Sequence, residues 1–281
     1  MTKRPKLIAA IGVSIAAVLT LSACTPGVSQ PGASGAPAGS TNNTLANVLQ
    51  SGTVRVADCL SFAPFGFVDQ NGAPAGYDVD IANALAADLG VKAVVTDTTA
   101  ANRIANLQTN KVDIVFCNFT ITGDRANQIE FTNPYVVATE ALLVKKDSGI
   151  NSVADMTGKS VATVKGSTNG DDVTAVNPQA KIQQYDSSAA AILAVQQGQA
   201  DAMVEDSNFL AYQAALDPSL EVTSDQLVPL EYNGFGVRQG DQIWLNRVND
   251  FLFRFNASGQ NEQLYEKWFN TKPKYPLQPQ Y

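Results

Sequence analysis

The most telling chemical feature of this 281-residue sequence is that it contains no histidine. Ser-His-Asp and Cys-His nucleophilic systems cannot be assembled without one, and the usual histidine-bearing zinc sites go with them. Gly158-Lys159-Ser160 looks like the end of a phosphate-binding loop, but the position that needs an upstream glycine holds Val153. Glu205, at the end of the apolar run Ala202-Met203-Val204, is the one candidate for a catalytic proton donor. Three cysteines remain: Cys24, Cys59 and Cys117. This inventory predicts no metal centre, no cofactor and no enzyme.

The amino terminus carries an address. Lys3, Arg4 and Lys6 precede a nearly unbroken apolar stretch, residues 7–21, which reads as a secretory signal. The stretch falls short of the ~20 apolar residues that a bilayer-spanning helix needs. It ends in Leu21-Ser22-Ala23-Cys24, which resembles the bacterial lipobox, whose cysteine is diacylated and becomes the new amino terminus. The reading is therefore a signal peptide over 1–23, with a lipidated Cys24 and flexible linker over 24–43. Two acyl chains anchor a protein durably. The uncharged Pro/Gly/Ser-rich linker, with a span on the order of 24 Å, lets the folded part leave the bilayer. The expected location is the extracellular face of the cell membrane.

The chain holds 19 basic and 26 acidic residues, a formal charge of −7. Removal of the three basic residues of the signal leaves 16 against 26, which makes nucleic acid an unsuitable partner. Cys59 and Cys117 are then an even pair in an oxidising compartment.

The elements that must position these groups alternate. Short β-like runs at 54–57, 91–96 and 112–116 are interleaved with helical patterns at 80–89 and around Ile104 and Leu107. Asp80 is read as a helix cap and Gly90 as the stop. A second cycle follows residue 135, with strands at 160–164, 181–185 and 202–204, a turn at Gly166-Ser167-Thr168, and a helix over 187–197. Two apolar helical stretches close the chain. The pattern predicts two α/β units whose strands present their carboxyl ends to a shared cleft.

From residue 45 to about 272 the sequence resembles the polar amino-acid solute-binding proteins of ATP-driven importers, the family 3 extracellular solute-binding proteins. The matching motifs fall in order: Phe62-Ala63-Pro64-Phe65, Gly76-Tyr77-Asp78-Val79-Asp80, Asn102-Arg103-Ile104 and Lys111-Val112-Asp113. Then come Thr120-Ile121-Thr122-Gly123-Asp124-Arg125, Phe131-Thr132-Asn133-Pro134-Tyr135, and Gly166-Ser167-Thr168. The resemblance implies two Rossmann-like lobes with a hinge and central cleft, the type II periplasmic binding protein plan. Lobe 1 would span 44–135 and 233–281 and lobe 2 140–230, with the hinge at 136–139 and 231–232. The partners implied are a polar amino acid and the permease of an ABC transporter, the protein acting as a monomer.

The resemblance also assigns roles. Arg125 would clamp the ligand carboxylate through paired hydrogen bonds, or remain a surface ion pair. Thr120 would meet both head groups. Thr168, at the start of a helix in the second lobe, would offer its amide to the carboxylate. Asp206 would take the ammonium, or cap a helix. Phe62 would cover the ligand side chain, or belong to the core. Arg103 would meet a distal carboxylate, with Lys165 as a second positive charge, or merely stabilise its loop; Asn118 would pair with a carboxylate or an amide. On these grounds glutamate or aspartate is the expected ligand, with glutamine or asparagine next. In the family's sheet order Cys59 and Cys117 end neighbouring strands, which implies a disulfide if their Cα atoms lie ~4.4–6.8 Å apart. A ligand-presenting sensor component, or an exported dehydratase on the same fold, are the alternatives.

Overall fold

The computed structural model describes residues 43–223 and 226–277. The signal peptide, Cys24 and the linker to residue 42 lie outside the described residues. No helix among those described is long and apolar enough to cross a membrane.

The first lobe begins with helix Thr44–Ser51, whose N-cap Asn43 accepts the Ala46 amide and whose end is set by left-handed Gly52. Its sheet runs, edge to edge, Lys92–Asp97, Thr53–Asp58, Ile114–Val115, Gly236–Val237 and Glu130–Phe131. The first three strands are parallel; Gly236–Val237, entering late from the other lobe, is antiparallel to both neighbours. Helix Tyr77–Leu89 crosses over between the first two strands and buries Ile81, Ala82 and Leu85. It begins four residues before the expected Ile81. Asp80 is inside its first turn, and the N-cap is Gly76, at φ 132°. A Cβ on Gly76 would collide with the Phe65 carbonyl oxygen, so this helix entry requires glycine. Gly90 ends the helix as read from the sequence.

The second lobe repeats the plan. Its sheet runs Lys181–Tyr185, Ser160–Val164, Ala202–Asp206, Glu140–Lys145 and Leu220–Val222, with the first three parallel and Glu140–Lys145 antiparallel to its neighbours. Helices Asn169–Val176 and Ser188–Gln197 cover it. The fourth strand of each sheet reverses direction, which the apolar runs alone do not reveal because alternation is the same either way.

The lobes are joined by a two-stranded antiparallel ribbon, Val136–Ala138 against Glu231–Asn233. Helices Gln242–Ala257 and Gln260–Phe269 return to the first lobe, where Trp244, Phe251 and Phe255 of the longer helix pack into its core and the Trp244 Nε1–H donates to the Asp113 carbonyl. The carboxyl ends of both sets of parallel strands face one another across the cleft. The shortest strand there is informative. The sequence run 112–116 is apolar but for Asp113, yet only Ile114–Val115 is strand, and just beyond it Cys117 and Asn118 turn into the left-handed region at φ 72° and 44°. That turn carries both residues to the cleft.

Candidate functional site

A cavity of about 530 Å³, open solvent included, lies between the lobes. From lobe 1 it is lined by Cys59, Phe62, Arg103, Cys117, Asn118, Thr120 and Arg125, and from lobe 2 by Thr168, Asn169, Asp186, Ser187, Ser188, Glu205 and Asp206, with smaller side chains between. Of the eight ligand-contact residues expected from the sequence, seven line this one cavity. Lys165 does not line it; its ammonium pairs with the lining residue Asp186 at 2.7 Å.

Cys59 and Cys117 are joined by a disulfide with Cα atoms 4.8 Å apart, inside the expected range. The bond makes one wall of the cavity. Below it lie two fully buried carboxyls. Asp78 Oδ2 accepts the Cys117 and Asn118 amides, and Asp58 Oδ1 accepts the Cys59 amide. Burial, the largest cause, pushes Asp78 up to about 7, and Asp58 is raised by burial and by the neighbouring Asp78 charge. The two carboxyls are hydrogen-bonding neighbours. The Tyr135 hydroxyl is a further neighbour of Asp78, and two carboxyls this close fit one proton held between them.

Asp206 ends its strand and is 2% exposed. Its Oδ2 accepts the Asn118 Nδ2–H at 2.9 Å and the Asn233 Nδ2–H at 3.0 Å, and Asn233 also donates to Asn118 Oδ1. One carboxylate of lobe 2 is thus held by amides from lobe 1 and from the hinge ribbon. Asn233 carried no signal in the sequence; only the ribbon's register brings it there. Glu205 is also buried, its Oε2 accepting the Asp206 amide. Burial and the adjacent Asp206 push Glu205 up to about 8.

The two arginines behave differently from simple ligand cations. Arg103 is 3% exposed and donates to the carbonyls of Ala100, Cys117, Asn118 and Gly166, while its guanidinium lies 4.0 Å from the Phe119 ring centroid. The alternative reading of Arg103, as a loop stabiliser, describes these bonds well. Arg125 sits on the short helix Gly123–Ala126, capped by the Thr122 hydroxyl, and donates to the Thr120 and Gly166 carbonyls. Both arginines therefore reach the same carbonyl of lobe 2. Phe62 is buried, as a core residue would be, and also faces the cleft. It lines the cavity and stacks 4.2 Å from Phe209 of the opposite lobe.

Thr168 is the N-cap of helix Asn169–Val176 and makes no side-chain capping bond. Ser187, which caps helix Ser188–Gln197 by accepting the Ala190 amide, was not anticipated as a site residue. It follows the strand Lys181–Tyr185, and the rule that ligands gather beyond strand carboxyl ends would have found it.

This architecture, with one cleft between two lobes of like topology, is that of a binding protein, and the comparisons agree. Residues 54–271 match the model of the bacterial extracellular solute-binding proteins, family 3, and the chain belongs to that family. It is 29% identical over 93% of its length, and 96% of the relative's, to the ABC transporter glutamine-binding protein GlnH of Bacillus subtilis. It is also 29% identical, over 77% of its length and 90% of the relative's, to a putative ABC transporter arginine-binding protein 2 of Escherichia coli. Among solved structures, the ancestral amino acid-binding protein AncCDT-1, described as a precursor of cyclohexadienyl dehydratase, superposes with a TM-score of 0.76 at 40% identity. That match covers 80% of this chain and 99% of the other. The fold is the type II binding-protein fold, and the B. subtilis and E. coli relatives are amino-acid-binding proteins of ABC transporters.

Proposed function

We propose that this protein binds a polar L-amino acid outside the cell, closes its lobes around it and delivers it to an ABC permease while tethered to the membrane through Cys24. The observation that carries the reading is that Arg125 of lobe 1 and Asp206 of lobe 2 line one cavity with Thr120 and Thr168. An α-amino acid presents a carboxylate and an ammonium on one carbon, and this cavity is lined by groups of both opposite signs. Arg125 takes the carboxylate with Thr120 and Thr168, and Asp206 takes the ammonium.

Glutamine is the ligand we favour over glutamate and aspartate. The Arg103 donors are directed to backbone carbonyls, and Lys165 lies outside the lining and is paired with Asp186, so neither of these cations is left to compensate a distal carboxylate. A side-chain amide suits Asn118 and the hydroxyls of Ser61, Thr98 and Ser187. The name of the B. subtilis relative points the same way.

A catalytic reading has one specific support, the buried Glu205 carboxyl that is protonated near neutrality and faces the cavity. The absence of histidine and the binding-protein relatives favour binding without turnover. A thermal-shift screen of the purified protein against all amino acids tests the proposal. Ligand at 100 times its dissociation constant should contribute about 2.7 kcal/mol. A selective shift with glutamine is expected, with the ligand recovered intact after incubation. A larger shift with glutamate reverses the ligand order, and no shift with any amino acid from a ligand-free preparation refutes amino-acid binding.

A further inference from the structure

The hinge carries a carboxylate group that ligand binding does not use. Glu140, Asp172 and Glu231 each place one oxygen within 4.8 Å of the other two. They come from three elements. Glu140 opens strand Glu140–Lys145 directly after the hinge strand, Glu231 opens the returning hinge strand opposite Ala138, and Asp172 lies in helix Asn169–Val176. Three acids gathered this closely repel one another, and most clusters of the kind are exposed and solvated.

This one is not. Glu140 is fully buried, at 0% exposure. Its Oε1 accepts the Asn169 Nδ2–H at 2.6 Å, while its Oε2 and the Glu231 Oε2 are reached by no donor among the described residues. None of the three carboxylates forms an ion pair within 4.0 Å with a described lysine or arginine. Arg125 is near enough for its field to act on Asp172 and Glu231, but it donates to the Thr120 and Gly166 carbonyls. A buried carboxylate without a counter-charge is among the costliest groups a fold can hold.

We propose that Glu140, Asp172 and Glu231 form a binding site for a divalent cation of the calcium type at the lobe 2 end of the hinge. The donors are all carboxylate oxygens, which selects a hard cation. Their origin on two strands and a helix suits the adaptable coordination of calcium better than the strict octahedron of magnesium. Asp172 and Glu231 are only partly buried, which leaves a solvent side for entry and for water to complete the shell. Asn169 links the site to the cleft, since it donates to Glu140 and also lines the amino-acid cavity. The cation would brace the amino-terminal turn of the helix that faces the ligand.

Protons are the competing occupants. Without a cation, burial first and the neighbouring acids second push Glu140 up to about 10, and burial and Asp206 push Glu231 up to about 8.

The test is calorimetric titration and thermal unfolding of the chelator-stripped full chain with CaCl2 at pH 8, with ionic strength matched by NaCl. One calcium per chain and a midpoint that rises with CaCl2 beyond the NaCl control are expected. Glu140→Gln and Glu231→Gln should each weaken calcium binding at least tenfold. In chelator both should unfold at or above the wild-type midpoint, because repulsion is relieved. Should Glu140→Gln fail to fold, the half-buried Glu231→Gln decides the matter alone. No heat and no shift in the wild type, which would leave the trio holding protons, overturns the proposal. So does a full calcium response in Glu231→Gln, which would put the cation elsewhere.

Discussion

Arg125 is the residue on which recognition depends most directly. Its donors go to two carbonyls, Thr120 in its own lobe and Gly166 in the other, and it is only partly buried on a short surface helix. Removing it should therefore cost little of the fold and much of the binding, since a charge-assisted pair to a carboxylate is lost. Arg125→Ala is expected to weaken amino-acid affinity by a hundredfold or more with the unfolding midpoint nearly unchanged. Wild-type affinity on titration would remove Arg125 from the site. The buried pair Asp58 and Asp78 makes a different prediction. Their folded-state values are raised, so the folded protein binds more protons than the unfolded chain between about pH 4 and 7, and stability falls as pH rises through that window. Each unit of difference corresponds to about 1.4 kcal/mol. Asp78→Asn keeps an acceptor for the Cys117 and Asn118 amides and removes the ionisation, so its urea-unfolding stability should decline less between pH 5 and 8. An identical decline in both proteins would assign the titration to other groups.

At the scale of elements, the cleft depends on how strands end. The strands Thr53–Asp58 and Ile114–Val115 pair in parallel, and the disulfide joins the residues just beyond their carboxyl ends, 58 positions apart. Closing a loop of that length stabilises by about 4 kcal/mol at most in the chain-entropy view, and engineered or native strain lowers the yield. Replacing both cysteines by serine should lower stability by about 2–4 kcal/mol in oxidising buffer, read as a lower denaturant midpoint. The same loss should appear in the wild type on reduction. An unaltered midpoint in both would show that the hydrogen bonds from Cys59, Cys117 and Asn118 to the buried acids already fix this corner.

For the whole molecule, the two lobes are engaged. Arg103 and Arg125 share the Gly166 carbonyl, Asn118 reaches Asp206, Phe62 stacks on Phe209, and the Gln213 side chain donates to the Ala63 carbonyl. These contacts define a closed arrangement, and a ligand that bridges the lobes would stabilise it by its differential affinity. Gly166 is where closure is tightest. At φ 83° it lies against the opposite lobe, and a Cβ there would meet Ala101 Cα at 2.6 Å and Ala101 N at 2.8 Å. Both are backbone atoms that cannot swing aside. Gly166→Ala should leave each lobe folded but hold them apart, giving a larger radius of gyration with saturating ligand and an affinity at least tenfold weaker. Scattering curves that superpose on the ligand-bound wild type would show that closure does not bring these backbones together.

Much of this was legible in the residues themselves. Local periodicity located the parallel strands and crossover helices, Gly90 marked its helix end, and ordered motifs placed seven cleft residues in one family pattern. Those are short-range properties, set by side-chain chemistry within a few positions along the chain. What the tertiary structure alone decided is how the polar groups pair. Arg103 looked like a ligand cation and spends its donors on carbonyls, Lys165 is drawn off by Asp186, Asn233 joins Asp206 through the ribbon register, and three acids from distant segments meet at the hinge. A charged side chain takes whichever partner burial and geometry bring within about 3 Å. Partners 14 to 115 positions away are chosen by packing, which no local pattern of residues records.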